Sequence, residues 1–176
     1  HPEQFTPVRQ ESPISQISFE QLVATCLRKD CSNRCFTDKA VTDEVVTQLK
    51  DVANWAATVA KTAYTIFVAN EQNLAKECLK CCAEYGFGNN IPSFWCFTAN
   101  VRGYVWPSEM YLPSIDTSLG AQNVFLAAQT IGITGTVLTW GQHTPQDDKV
   151  LRRLLNIPND YAIIFVQSWV MPNMVI

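Results

Sequence analysis

The stretch SIDTSLGAQNVFLAAQTI, residues 114–131, has Asp116 as its only charge, contains no proline and is followed at once by Gly132. It predicts one long helix, with Gly132 as the stop because glycine readily takes the left-handed conformation that closes a helix. Apolar residues fall on nearly every face of that helix. Such a helix belongs inside a molecule, partly against a second subunit, and the rest of the chain must wrap it.

The flanking sequence supplies the wrapping. Ser18 to Gln21 reads as a capping box opening a helix from Phe19 to about Leu27, with Phe19, Leu22, Val23, Cys26 and Leu27 at helical spacing. Thr42 caps a second helix, with Val41 and Val46 placed as a hydrophobic staple and Val45, Leu49, Val52, Ala53 and Ala56 as its buried stripe. β-Branched and aromatic content predicts strands over Tyr64–Val68, Ser93–Thr98, Thr136–Trp140 and Tyr161–Val166. A helix from Glu71 to about Tyr85 separates the first two strands. Thr144-Pro145 opens another, with Val150, Leu151, Leu154 and Leu155 facing the core. Residues 86–90 and 101–114 read as loops, and a loop as long as the second usually carries function or a partner contact. The order α-α-β-α-β-α-β-α-β predicts an α+β fold, a central sheet covered by helices on both sides.

With 176 residues, 47% of them hydrophobic, the chain reads as a single domain spanning 1–176, with an N-terminal arm over 1–17. The net charge of −3, with both signs interspersed, offers no basic field for nucleic acid or an anionic membrane. No apolar run is long enough to cross a bilayer, and His1 to Ser15 is polar, unlike a signal peptide. The expectation is a soluble, cytoplasmic protein. The seven cysteines (Cys26, Cys31, Cys35, Cys78, Cys81, Cys82 and Cys96) read as reduced thiols, since their number is odd and their spacing scattered. Cys78, Cys81 and Cys82 look like half of a metal site without its other half. A thiol-redox or metal-handling role through them is one reading; Cys78 and Cys82 as buried small hydrophobes on one helix face is the other.

Hydrolytic chemistry lacks its parts. His143 is the sole internal histidine, and there is no Gly-x-Ser-x-Gly elbow, P-loop or Gly-x-Gly-x-x-Gly after any strand. A chain this poor in acids, bases and metal ligands either binds without chemistry or borrows chemistry from a cofactor. The turn Cys31-Ser32-Asn33-Arg34-Cys35-Phe36 suits an anionic ligand, because Ser32 donates a hydrogen bond and Arg34 offers a planar fork of donors. Arg34 as a solvated corner is the plain alternative.

Ser32 to Phe36, the helix after Val41, Ala56-Ala57-Thr58 and the strand from Tyr64 resemble the opening of the FMN-dependent nitroreductase family. Asp116, Gln122-Asn123, Leu126-Ala127-Ala128 and Gly132-Ile133 resemble its long central helix. Thr139-Trp140-Gly141 resembles its strand-end loop, and Leu155-Asn156-Ile157-Pro158 its closing turn. The matches run in order from Phe19 to Val166. The resemblance implies a homodimeric three-layer α-β-α sandwich with a mixed, mainly antiparallel sheet, FMN as cofactor, and NAD(P)H as hydride donor to an electron-poor acceptor such as a nitroaromatic or quinone.

It also implies a cofactor site. Arg28, Ser32 and Arg34 meet the FMN phosphate or ribityl and the ring's N1/O2 edge, and Thr58 from the other subunit lines the flavin face. Lys61 is either a further cation of the site or a solvated lysine, and the backbone of Thr139, Trp140 and Gly141 approaches N5 and O4. Cations near N1/O2 and donors near O4 favour the reduced ring. The 101–114 loop is an active-site or interface loop, and Trp95, Tyr104, Trp106 and Tyr111 either roof a flavin and stack substrate or pack in a core or interface. This chain has Asp30 where the family has arginine, and Ala56 and Ala60 where it has proline and asparagine. These departures motivate a second reading, a nitroreductase-like fold with weak or no flavin binding that acts as a binding or structural protein.

Overall fold

The computed structural model describes residues 18–24, 37, 39–58, 63–82, 91–138 and 140–170. Helix α1 spans Phe19–Leu22, α2 Asp43–Ala53, α3 Gln72–Leu79, α4 Leu112–Thr130 and α5 Pro145–Leu155. The strands are β1 (Tyr64–Ala69), β2 (Ser93–Asn100), β3 (Thr134–Leu138) and β4 (Tyr161–Val170), joined in the order β1-β2-β4-β3. Every pairing among the described residues is antiparallel, so the mixed sheet expected from the resemblance is purely antiparallel there.

Strand alternation divides the interior into two cores. Tyr64, Ile66, Trp95, Phe97 and Trp169 project to one face, where Leu49 and Ala53 of α2 and Ala121, Val124, Phe125 and Ala128 of α4 cover them. Phe94, Cys96, Leu138 and Val166 project to the other, under Ala75, Cys78 and Leu79 of α3 and Leu151 and Leu155 of α5. A bulge sets the phase of β4. Phe97 pairs with Phe165 but Thr98 with Ile163, leaving Ile164 as the extra residue. Tyr161 and Ile163 consequently pack toward α3 and α5, whereas Phe165 and Trp169 pack toward α2 and α4.

The caps are where the sequence places them. Ser18 closes its capping box with Gln21, Thr42 Oγ1 accepts from Val45 N at 3.4 Å, and Gly132 takes φ 74° beyond α4. Four expectations need correction. Strand β4 continues to Val170 rather than ending at Val166, because Gln167 and Ser168, polar in sequence, lie fully buried between β2 and β3. Strand β3 begins two residues before the expected Thr136, where Thr134 pairs with Val170. Helix α4 starts at Leu112, with Pro113 in the first turn where a missing N–H costs nothing, and two 3₁₀ turns (Val101–Gly103, Pro107–Glu109) fill the loop before it. The apolar residues of α1 are outside both cores, with Phe19 73% exposed. Helix α3, capped by Glu71, ends at Leu79, short of the expected Tyr85, and the chain turns through residues 80–82; residues 83–90, which held the end of the expected helix and the loop after it, lie outside the described residues.

Candidate functional site

The β3–α5 junction is held from both sides. Leu138 and Trp140 are buried in the α3–α5 core, and Thr144 caps α5 in a reciprocal box with Asp147. Between them, the chain turns on a hydrogen bond from His143 N to Trp140 O of 3.2 Å. His143 Nδ1 meets the same carbonyl, and the two rings stack with centroids 4.2 Å apart at 9°. Gly141 at the crest is exposed, and a Cβ there would meet nothing within 4 Å. No described residue accepts from the N–H of Gly141 or Gln142. Among the described residues two backbone donors thus have no acceptor at an open glycine, an arrangement suited to a carbonyl or anionic edge.

Thr58 is half-buried beyond α2, and its N–H donates to Ala56 O at 3.0 Å. Helix α2 covers one face of the sheet, and Trp140 is rooted in the core of the other. Of the sequence-derived site residues, Trp140 and Gly141 thus share one turn and Thr58 stands apart from it. Arg28, Ser32, Arg34, Lys61 and Thr139 lie outside the described residues.

The connection from β2 to α4 is fixed by two carboxylates. Glu109 Oε2 accepts from Val105 N at 2.8 Å and Trp106 N at 2.9 Å, and Tyr104 Oη donates to Asp116 Oδ2 at 3.1 Å. Burial, with help from Asp116, pushes the Tyr104 phenol well above its ordinary range. So anchored, the loop holds Val105, Trp106, Met110 and Tyr111 out to solvent, all of them more than two-thirds exposed. Ile115 and Leu119 extend this apolar surface along α4. Beside it, Ser118, Ala121, Gln122, Phe125, Val137 and Phe165 line a groove of about 330 Å³.

Sequence reasoning set His143 aside as a base for hydrolysis and missed its structural role; the signal was its position three residues after Trp140 across a glycine. The cysteine reading resolves toward packing. Cys78, Cys81, Cys82 and Cys96 are buried, and among the described residues no group of three or more His, Cys, Asp or Glu side chains could hold a metal. Burial pushes the Cys78 thiol up to about 12, with Cys81 and Glu77 adding to it, and that of Cys81 to about 11, with Asp147 and Glu77 adding. These are poor nucleophiles.

Antiparallel sheet, two helices on each face and an open glycine turn at a strand end define a class of α-β-α sandwich. Neither a protein-family model nor a curated protein matches the sequence. Solved structures do match it. A nitroreductase family protein from Clostridium novyi is similar with TM-score 0.72 and 16% identity, covering 89% of this chain and 86% of that one. An FMN-dependent nitroreductase from Clostridium difficile gives TM-score 0.70 and 18% identity over 85% and 87% of the two chains. The NADPH:FMN oxidoreductase from Vibrio harveyi gives 0.71 and 18% over 87% and 69%. The fold is that of the nitroreductases.

Proposed function

We propose that this protein is an FMN-dependent oxidoreductase of nitroreductase type, passing hydride from NAD(P)H to an electron-poor acceptor such as a nitroaromatic or a quinone. The observation that carries the proposal is the Trp140–His143 turn, which offers two N–H donors that no described residue accepts, beside an open glycine at a strand end of this fold. Those donors fit the carbonyl edge of an isoalloxazine. Flavin, when bound, supplies the hydride chemistry; the chain supplies binding and charge. In this reading Ser32 and Arg34, with Arg28, hold the phosphate or ribityl and the N1/O2 edge. Lys61 adds a cation, and Thr139, Trp140 and Gly141 present backbone to the ring's other edge. Donors fixed in place before the reaction stabilise developing charge without reorganising.

The working unit proposed is a cytoplasmic homodimer of single-domain chains, in which Thr58 of one copy lines the flavin of the other. The exposed series Tyr111, Ile115 and Leu119, spaced four residues apart from the N-cap of α4 into its second turn, supports this, as does the adjoining groove. Among the described residues no helix is long and apolar enough to cross a membrane. The test is to titrate the purified protein with FMN, record the visible spectrum, and then follow NAD(P)H oxidation with menadione or nitrofurazone as acceptor. A yellow complex that turns over is expected. A protein that takes up no FMN overturns the proposal and leaves the non-catalytic binding reading.

A further inference from the structure

Gly141 has no left-handed φ; among the described residues only Gly132 and Asn156 do. Yet glycine at the second position of a turn is equally free to adopt the positive φ of a II′ turn, which reorients the peptides on either side of it. Something must hold the conformation in which the Gly141 and Gln142 amides stay unclaimed. The contacts of His143 supply that hold.

The Trp140 carbonyl receives two donors from this one residue, the backbone N–H at 3.2 Å and the ring Nδ1. A carbonyl only accepts, so Nδ1 carries hydrogen whether the imidazole is neutral or protonated. The ring also lies flat on the Trp140 indole, which is 5% exposed and rooted among Leu138, Leu151 and Leu155. On its C-terminal side His143 abuts the Thr144–Asp147 capping box that starts α5. One side chain thus ties both ends of a glycine turn to a buried base.

We propose that His143 is a positioning residue for flavin binding. By occupying the Trp140 carbonyl through Nδ1–H, it fixes the turn with the Gly141 and Gln142 N–H groups facing outward to receive the carbonyl edge of the ring. This assignment rests on the proposed FMN-dependent function, and the turn's donors act on the ring while His143 acts through them.

The test measures FMN affinity by flavin-fluorescence titration, and the visible spectrum of bound flavin, for the full chain and two variants. His143→Phe keeps a flat ring over Trp140 and removes the Nδ1–H; His143→Asn removes the ring and restores a side-chain N–H donor. His143→Phe is expected to bind FMN about tenfold more weakly, the scale of losing one hydrogen bond's ordering effect. Its bound flavin should absorb more like free FMN. His143→Asn should recover most of both properties. His143→Phe with wild-type affinity and spectrum overturns the inference, and so does His143→Asn as weak as His143→Phe, because a restored N–H donor would then restore nothing. Circular dichroism of both variants separates these results from misfolding. Wild-type protein that takes up no FMN overturns the functional proposal itself, and this inference with it.

Discussion

Gly135 shows how a single residue fixes the edge of the sheet. A Cβ at this position would stand 2.3 Å from Ser168 O and 2.9 Å from Trp169 Cε3, so β3 approaches β4 as closely as it does only because nothing is there. Gly135→Ala should therefore destabilise the fold by about 1–3 kcal/mol, the cost of forcing atoms into a packed interior, seen as a lower urea midpoint at unchanged m. The sequence placed Gly135 just outside the predicted strand; close approach of two backbones depends on a register that no local pattern encodes. The burial of Cys78 and Cys82 was legible in the sequence but their shared helix was not, because α3 ends at Leu79 and Cys82 is buried in the turn beyond it. With their thiols buried and those of Cys78, Cys81 and Cys96 pushed upward, brief iodoacetamide treatment of native protein at pH 8 should leave Cys78, Cys81, Cys82 and Cys96 unmodified. Peptide mapping checks this, and labelling of those four without denaturant would contradict it.

Each helix is set by its ends and by what it leans on. The α5 cap was legible in Thr144-Pro145, since a hydroxyl followed by proline states the start of a helix locally. The structure adds the reciprocal half: Asp147 Oδ2 accepts from Thr144 Oγ1 at 2.6 Å and Thr144 N at 2.8 Å. Those hydrogen bonds, the Thr144 side chain's first, hold the Asp147 carboxyl below its ordinary range, with a smaller contribution from His143. A carboxyl lowered in the folded state stabilises it above the unfolded pKa, and that stability is lost as pH falls through the folded one. Melting temperature should accordingly drop as pH falls below about 4, the ordinary aspartate value, and Asp147→Asn should flatten that drop. Thr144→Ala, which removes the cap itself, should cost about 1 kcal/mol at neutral pH. Helix α4 depends on a contact the sequence hid. A Cβ on Gly120 would stand 2.9 Å from Tyr64 Cζ, and the Tyr64 hydroxyl donates to the carbonyl of Ala53, so one tyrosine joins α4, β1 and α2. Tyr64→Phe leaves that carbonyl short of a donor and should cost about 1 kcal/mol in chemical denaturation.

At the scale of the molecule, alternating helix and strand signals made the layers legible, because each amphipathic element must bury a face. The order β1-β2-β4-β3 was not: it depends on α4 carrying the chain from β2 past β4's place to β3, a choice made by packing over many residues. Nor did periodicity reveal which apolar side chains of α4 and its N-cap stay outside. Tyr111, Ile115 and Leu119 continue the surface of Val105, Trp106 and Met110, a loop pinned by Glu109 and Asp116 and so presented with little entropy left to lose on association. A ridge and a groove side by side on one helix are what a two-fold pairing of identical surfaces requires. Sedimentation velocity of the wild-type chain should show a dimer. Leu119→Glu would place a charge in the shared face, where removal from water costs several kcal/mol, and should weaken dimerisation at least about a hundredfold. Its circular dichroism should not change, because Leu119 belongs to neither core. Since Thr58 is assigned to the partner's flavin, FMN affinity should fall together with dimerisation and recover at protein concentrations that restore the dimer. A monomeric Leu119→Glu protein with wild-type FMN affinity would place the whole flavin site within one chain.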